Sequence, residues 1–328
     1  EKLKSNQVDW LGIFLLMAFI GSLQYVLVHG QHDDWFNNKT IIILSTITVF
    51  GLVLFIWREL TYKRPVVNLG VLKDGNLRIG TVMCFILGFG LYGSTLIIPI
   101  YTQTILGWTA TDAGLLLIPG SITTAFMMPI VGKLLQRGVP QSYMVGLGFL
   151  IFFFFTYMMH NNMTPSTGVE HLYWGLILRG IGLGLLFVPI TTLSLSTLKG
   201  KDIGEGAAFT GMMRQLGGSF GIATITTFIT RFNQEHRVNL VSHLDTTRLE
   251  VQQRVLTLQK GFMSKGFTAN ESLNKAYQVI DYSVMKQSAV LSYMDIFLYL
   301  GIMFLCCIPI IFLIKKGKNT INPADAMH

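Results

Sequence analysis

Residues 172–196 read LYWGLILRGIGLGLLFVPITTLSLS, 25 residues that hold a single charge, Arg179. At 1.5 Å per residue such a helix is about 37 Å long, more than the roughly 30 Å of hydrocarbon in a bilayer. A helix on the surface of a soluble protein carries a charged or polar face opposite its apolar one. This stretch has none, so it reads as a transmembrane helix.

Working outward, comparable apolar runs lie near 10–29, 40–58, 78–100, 111–133, 141–160, 205–230 and 289–314. Together they make eight spans and an all-α integral membrane protein. Composition agrees: 51% of the residues are hydrophobic and 13% are charged, against about 25% charged in a soluble domain. The formal charge of +8 would suggest a nucleic-acid partner in a soluble protein. Here the bases fall mostly between apolar runs, where they orient a chain in a bilayer, and no nucleic-acid partner is expected. Cys84, Cys306 and Cys307 all lie in apolar runs, which is neither a disulfide framework nor a metal spacing. The chain begins Glu1-Lys2-Leu3-Lys4 with no initiator Met, and we expect it to be a piece of a longer polypeptide.

Short loops rich in Lys and Arg stay in the cytoplasm. Loops carrying Arg58, Lys63, Arg64, Lys73 and Arg78, then Lys133 and Arg137, then Lys199 and Lys201, alternate with loops 99–112 and 160–171, which have no Lys or Arg. Lys2 and Lys4 precede the first span, and Lys315, Lys316 and Lys318 follow the last. This pattern places both ends of the chain in the cytoplasm. The long segment at about 232–288 is then external despite Arg237, Arg248, Arg254 and Lys260, because long loops cross largely regardless of charge. Thr268 and Glu271 form a candidate capping box. Leu273, Tyr277, Ile280 and Val284 follow at helical spacing, so the segment is expected to be helical and to run on into the last span.

Pro119, Pro129, Pro189 and Pro309 interrupt spans, as membrane helices tolerate. Gly180/Gly184 and Gly217/Gly221 have the spacing that lets two helix backbones approach closely. Such smooth faces serve tight packing and also permit sliding.

Several segments resemble a known family in order and at compatible spacing. Gly21-Ser22-Leu23-Gln24-Tyr25-Val26-Leu27 with Asp34-Trp35-Phe36, and Trp57-Arg58-Glu59-Leu60 with Pro65-Val66-Val67-Asn68-Leu69, are the first of these. Ala113-Gly114-Leu115 with Pro119, and Pro129 to Lys133, come next. They are followed by Arg179 to Gly184 with Pro189, Arg214 to Gly221, and Asp295-Ile296-Phe297. These stretches resemble the EmrB/QacA-type drug:proton antiporters of the major facilitator superfamily, which have fourteen helices. The resemblance implies that residues 1–64 are the transmembrane hairpin linking two halves. Residues 65–328 would be the six-helix C-terminal bundle, and a six-helix N-terminal half would lie outside this chain. It further implies efflux of hydrophobic, drug-like compounds across a bacterial inner membrane, driven by a proton gradient with no cofactor. A periplasmic adaptor and an outer-membrane channel are implied partners.

Charges at membrane depth are functional candidates. Arg214 either takes part in the transport cycle or is satisfied by carbonyls and polar neighbours, and Gln215 beside it could shape the cavity. Arg179 could attract polar groups, although snorkelling toward the outer surface is the expected behaviour. Tyr101, Phe187 and Met212, with Tyr92 and Met213, could line an adaptable pocket or could simply pack. Asp112 is expected to favour the start of its helix, and Asp295 to cap or pack rather than bind protons. Of the alternatives, a membrane enzyme needs paired acids or a Ser/His or His cluster, and the seven histidines are scattered. A pore needs a filter-like segment, and none is evident. No carboxylate lies near mid-membrane, so the coupling acid is expected in the absent half.

Overall fold

The computed structural model describes residues 9–31, 33–62, 69–245 and 248–313. All regular structure among them is helical. The helices are α1 (Trp10–His29), α2 (Lys39–Thr61), α3 (Gly75–Thr104), α4 (Ala110–Leu116), α5 (Ile118–Gln136), α6 (Gln141–Asn162), α7 (Val169–Leu195), α8 (Lys201–Ser242), α9 (Leu249–Met263) and α10 (Ala269–Cys307). Lys2, Lys4, Lys63, Arg64, Pro65 to Asn68, the tail lysines and the proposed boundary at 64/65 lie outside the described residues.

Short polar side chains start several helices by accepting backbone N–H groups that have no partner within the helix. Asp9 accepts from the Gly12 amide (3.0 Å) and Asp74 from Leu77 (2.9 Å). Thr268 and Glu271 form the reciprocal capping box expected from sequence, and α10 runs unbroken from it into the last apolar run. The fourth span is broken at Leu117 into α4 and α5. Pro119 sits in the first turn of α5, where its missing N–H costs nothing, so it begins a helix rather than kinking one. Pro309 likewise lies beyond α10, in a 3-10 turn over Ile308–Leu313. Pro129 and Pro189 stay inside α5 and α7 as expected.

Among the described residues, seven helical stretches are long and apolar enough to cross a membrane: α1, α2, α3, α4 with α5, α6, α7 and α10. The remaining expected run, the seventh in chain order at 205–230, does form helix within α8, but Arg214, Gln215 and its Gly, Ser and Thr residues dilute its apolarity. At 42 and 39 residues, α8 and α10 are about 60 Å long, twice the hydrocarbon thickness. Their excess length, with α9, makes up the helical segment expected at 232–288.

α3 packs along α8 and α7; α7 also packs on α5 and α6; α10 joins α6, α8 and α9. The core between α6 and α10 is aromatic. Phe149, Phe152, Phe155, Phe297 and Phe304 are fully buried, and Phe152 stacks on Phe304 at 4.1 Å. α1 and α2 pack mainly on each other, with α1 also touching α8. Arg58 clamps Asp9 through two bonds (3.1 and 3.2 Å) and holds its carboxyl below the usual carboxylate range. Ile43, Phe50, Val53 and Trp57 of α2 are exposed, a surface suited to lipid rather than water.

Candidate functional site

Two turns of α3, Gly88 to Thr95, meet both of the arginines singled out in the sequence, Arg179 through hydrogen bonds and Arg214 through its backbone. On one side α8 lies so close that a methyl on Gly88 would strike the Arg214 carbonyl, and one on Gly217 would strike the Phe85 carbonyl. The Gly217/Gly221 spacing therefore serves close backbone contact with α3. On the other side α7 brings Arg179 against the same turns. Gly180 and Gly184 face away toward α5, where an added methyl on Gly180 would lie 2.8 Å from the Thr123 Cβ and one on Gly184 would strike Met127.

Arg214 is half-buried, with its guanidinium 4.5 Å from the centre of the Phe187 ring on α7. Cation–π contact of this kind is worth about 0.5–2 kcal/mol, depending on how dry the site is. It leaves the N–H groups at the guanidinium edge available to an anion or another acceptor. Beside it the Tyr92 hydroxyl donates to the Gln215 side-chain oxygen at 3.0 Å, and both residues are exposed. The structure thus brings together Arg214, Gln215, Phe187 and Tyr92 at the junction of α3, α7 and α8. The cluster can hold a flat or chain-like apolar body against its rings and an acceptor group at its guanidinium or amide.

Arg179 does not snorkel. It is 6% exposed; its Nε donates to Ser94 Oγ (2.9 Å), and its Nη2 donates to the Leu91 carbonyl (3.3 Å) and to Thr95 Oγ1. Burying a cation is costly unless its donors are met, and two adjacent hydroxyls with a helix carbonyl meet those on Nε and Nη2. Sequence reasoning passed over Ser94 and Thr95. Their one signal was a pair of hydroxyls in the middle of an apolar run.

Tyr101 does not join the cluster. It is fully buried, donates to the Thr164 carbonyl (2.6 Å) and meets Tyr293 edge-on, so it anchors the connection between α6 and α7. Met212 is half-buried and, two residues before Arg214, points to a different helical face. Pro189 is buried in α7. Asp112 lies in the first turn of α4, bonded to the Thr109 cap, as its helix-start reading expected. Asp295 caps nothing, because α10 begins well before it; its carboxylate meets His236 of α8 at 2.7 Å. Among the described residues no cluster of His, Cys, Asp and Glu has the makings of a metal site.

A sequence profile of the Major Facilitator Superfamily matches residues 4–222. The fatty acid resistance protein FarB of Neisseria gonorrhoeae is 30% identical over 308 residues, which are 94% of this chain and 59% of that protein. The multidrug export protein EmrB of Escherichia coli K12 is 30% identical over 241 residues, 73% of this chain and 47% of that one. The chain thus spans about half the length of these relatives. Among solved structures, a bacterial homologue of the human lysosomal transporter Spinster shares the fold at a TM-score of 0.50 and 14% identity, over 93% of this chain and 69% of that one.

Proposed function

The chain belongs to the Major Facilitator Superfamily, a transporter and not an enzyme, and on that premise we propose that it is the C-terminal part of a proton-driven exporter of hydrophobic compounds. Its substrates lie in the range that the relatives' names span, from drugs to fatty acids. The observation that carries the reading is the Arg214 cluster. A half-exposed cation stacked on Phe187, beside the Tyr92–Gln215 pair, sits where three long helices meet. A charge at such depth costs several kcal/mol, of which the Phe187 ring returns only part, and a transport site would justify the remainder.

In this reading α8 is the remaining span, counted by its length and its packing along α3. The α1–α2 pair is the linker hairpin and α3 to α10 form the six-span bundle. The protein is a multi-pass protein of a bacterial inner membrane with both ends of this chain cytoplasmic, an orientation supported by the loop charges. The remaining six helices, with the acid that couples transport to protons, belong to sequence outside this chain. An adaptor and an outer-membrane channel are proposed partners on the same footing.

Arg214→Ala in the full-length protein should abolish efflux in a pump-deleted strain while leaving expression and membrane insertion intact. Normal resistance in that strain would sink the assignment. Proton-coupled uptake by this chain alone in liposomes would overturn the placement of the coupling acid elsewhere.

A further inference from the structure

Two histidines from different helices converge on consecutive residues of α10. His160, near the end of α6, meets the Met294 carbonyl through Nδ1 at 2.8 Å. His236 on α8 meets the Asp295 carboxylate through Nε2 at 2.7 Å. A carbonyl and an ionised carboxylate only accept hydrogen bonds, so Nδ1 of His160 and Nε2 of His236 carry the hydrogens. Each ring keeps its other nitrogen for one more proton. The His236 and Asp295 side chains are 24% and 34% exposed, so the pair is not sealed inside the bundle.

The pair sits on the seam between the two longest helices of the chain. Toward one side the seam is aromatic, with Phe232 stacked on Tyr299 at 5.5 Å. Toward the other it is polar, with Ser288 donating to Asn233 (2.6 Å) and Arg237 paired with Asp281 (2.9 Å). The charged and titratable groups around His236 are few. α8 itself carries Arg231, Glu235 and Arg237; α10 carries Asp295, Lys286, Tyr299 and the Asp281 already held by Arg237; α6 brings His160. The loop after α1 meets α8 through the uncharged Gln31, at Thr227 (3.2 Å) and Thr230 (3.5 Å). Asp295 is therefore the carboxylate bonded to His236, and the imidazole is the partner that can hold either one proton or two.

We propose that His236 and Asp295 form a proton-binding site that clasps α8 to α10. With a proton taken from water at Nδ1 of His236, the pair is an imidazolium bonded to a carboxylate and the seam is closed. When that proton returns to water, a single hydrogen bond from a neutral ring remains and the seam loosens. No other group changes charge. The use of this site rests on the transporter reading: a proton-driven cycle needs a group that senses protons at an aqueous mouth as well as an acid at depth. The clasp itself does not depend on that reading.

Hydrogen–deuterium exchange of the full-length protein in lipid nanodiscs, at about pH 5.5 and about pH 8 and corrected for intrinsic exchange, tests it without any transport assay. Segments 228–242 and 281–299 should be protected roughly threefold to fivefold more at the acid pH, the scale of a partly exposed ion pair, while α5 should not change. His236→Gln and Asp295→Asn should abolish the difference. His236→Lys should keep the acid-pH protection at both pH values, which a merely structural histidine would not predict. His160→Gln should retain the difference. A wild-type chain with no pH difference, a His236→Gln chain that keeps it, or a His160→Gln chain that loses it would each overturn the proposal. If the clasp titrates but the full-length protein exports nothing, the transporter reading alone has failed.

Discussion

Arg179 and Arg214 lie against the same two turns of α3, and their surroundings are opposite. Arg179 is enclosed, and its Nε and Nη2 donors are held by Ser94, Thr95 and the Leu91 carbonyl. Arg214 is half-buried, and its guanidinium rests on the face of Phe187. Hydroxyls and a carbonyl hold a cation by hydrogen bonding and use up the donors they meet. A ring satisfies it by its quadrupole and leaves the N–H edge open. The difference separates an arginine that ties α7 to α3 from one that is free to meet a ligand, and it predicts that the two respond differently to substitution.

The largest effect is expected where the comparison loses its frame. Gly217→Val places a branched side chain against the Phe85 carbonyl, a backbone atom that moves only if α3 and α8 separate. Overpacking against backbone should cost about 3 kcal/mol. It should also loosen both arginines together, because both depend on the same turns of α3. Unfolding in mixed micelles and a thermal melt in detergent would measure it. A variant as stable as wild type would show that α3 and α8 are not in backbone contact, and would remove the basis for placing Arg214 beside Tyr92.

Much of this arrangement is legible in the sequence, and the rest is not for a physical reason. α1 spans the residues its apolar run delimits, and the Thr268–Glu271 capping box forms, because both are set by neighbours within a few positions. The two glycine pairs were legible as places of close approach, since spacing alone puts them on one helix face. What spacing cannot disclose is the partner. Ser94 lies 85 positions from Arg179, and His236 lies 59 from Asp295. Snorkelling is the sensible expectation for a lone arginine in an apolar run until the facing helix is known to offer hydroxyls. The apolar measure also undercounts α8, because a helix packed on several others can afford the Gly, Ser and Arg that a lipid-facing helix cannot.

A middle-sized effect tests the enclosed arginine directly. Ser94→Ala removes an acceptor from the buried Arg179 guanidinium and should cost about 2 kcal/mol, since an unsatisfied buried charge carries its full desolvation penalty. Arg179→Met in the same background removes the charge that needed the acceptor and should recover most of that loss. Unfolding of the two single variants and the double variant closes the cycle. Additive costs would mean that Ser94 and Arg179 are not coupled, and would return Arg179 to the candidates for substrate contact.

The smallest expected effect is on the open side, and its smallness is what distinguishes it. Tyr92→Phe deletes the hydroxyl that donates to Gln215 but keeps the ring. Neither residue is buried, so the Gln215 amide is free to find another partner and stability should change by less than about 1 kcal/mol. Transport should respond more than stability does. With the Gln215 amide no longer held, the cluster loses a fixed acceptor beside Arg214, and substrates that engage it should show a raised KM in the full-length protein at little change in kcat. The opposite pattern, a clear loss of stability with transport parameters intact, would mean that the Tyr92–Gln215 pair ties α3 to α8 as Ser94 ties α3 to α7. The contrast between the two arginines would then reduce to a difference in exposure alone.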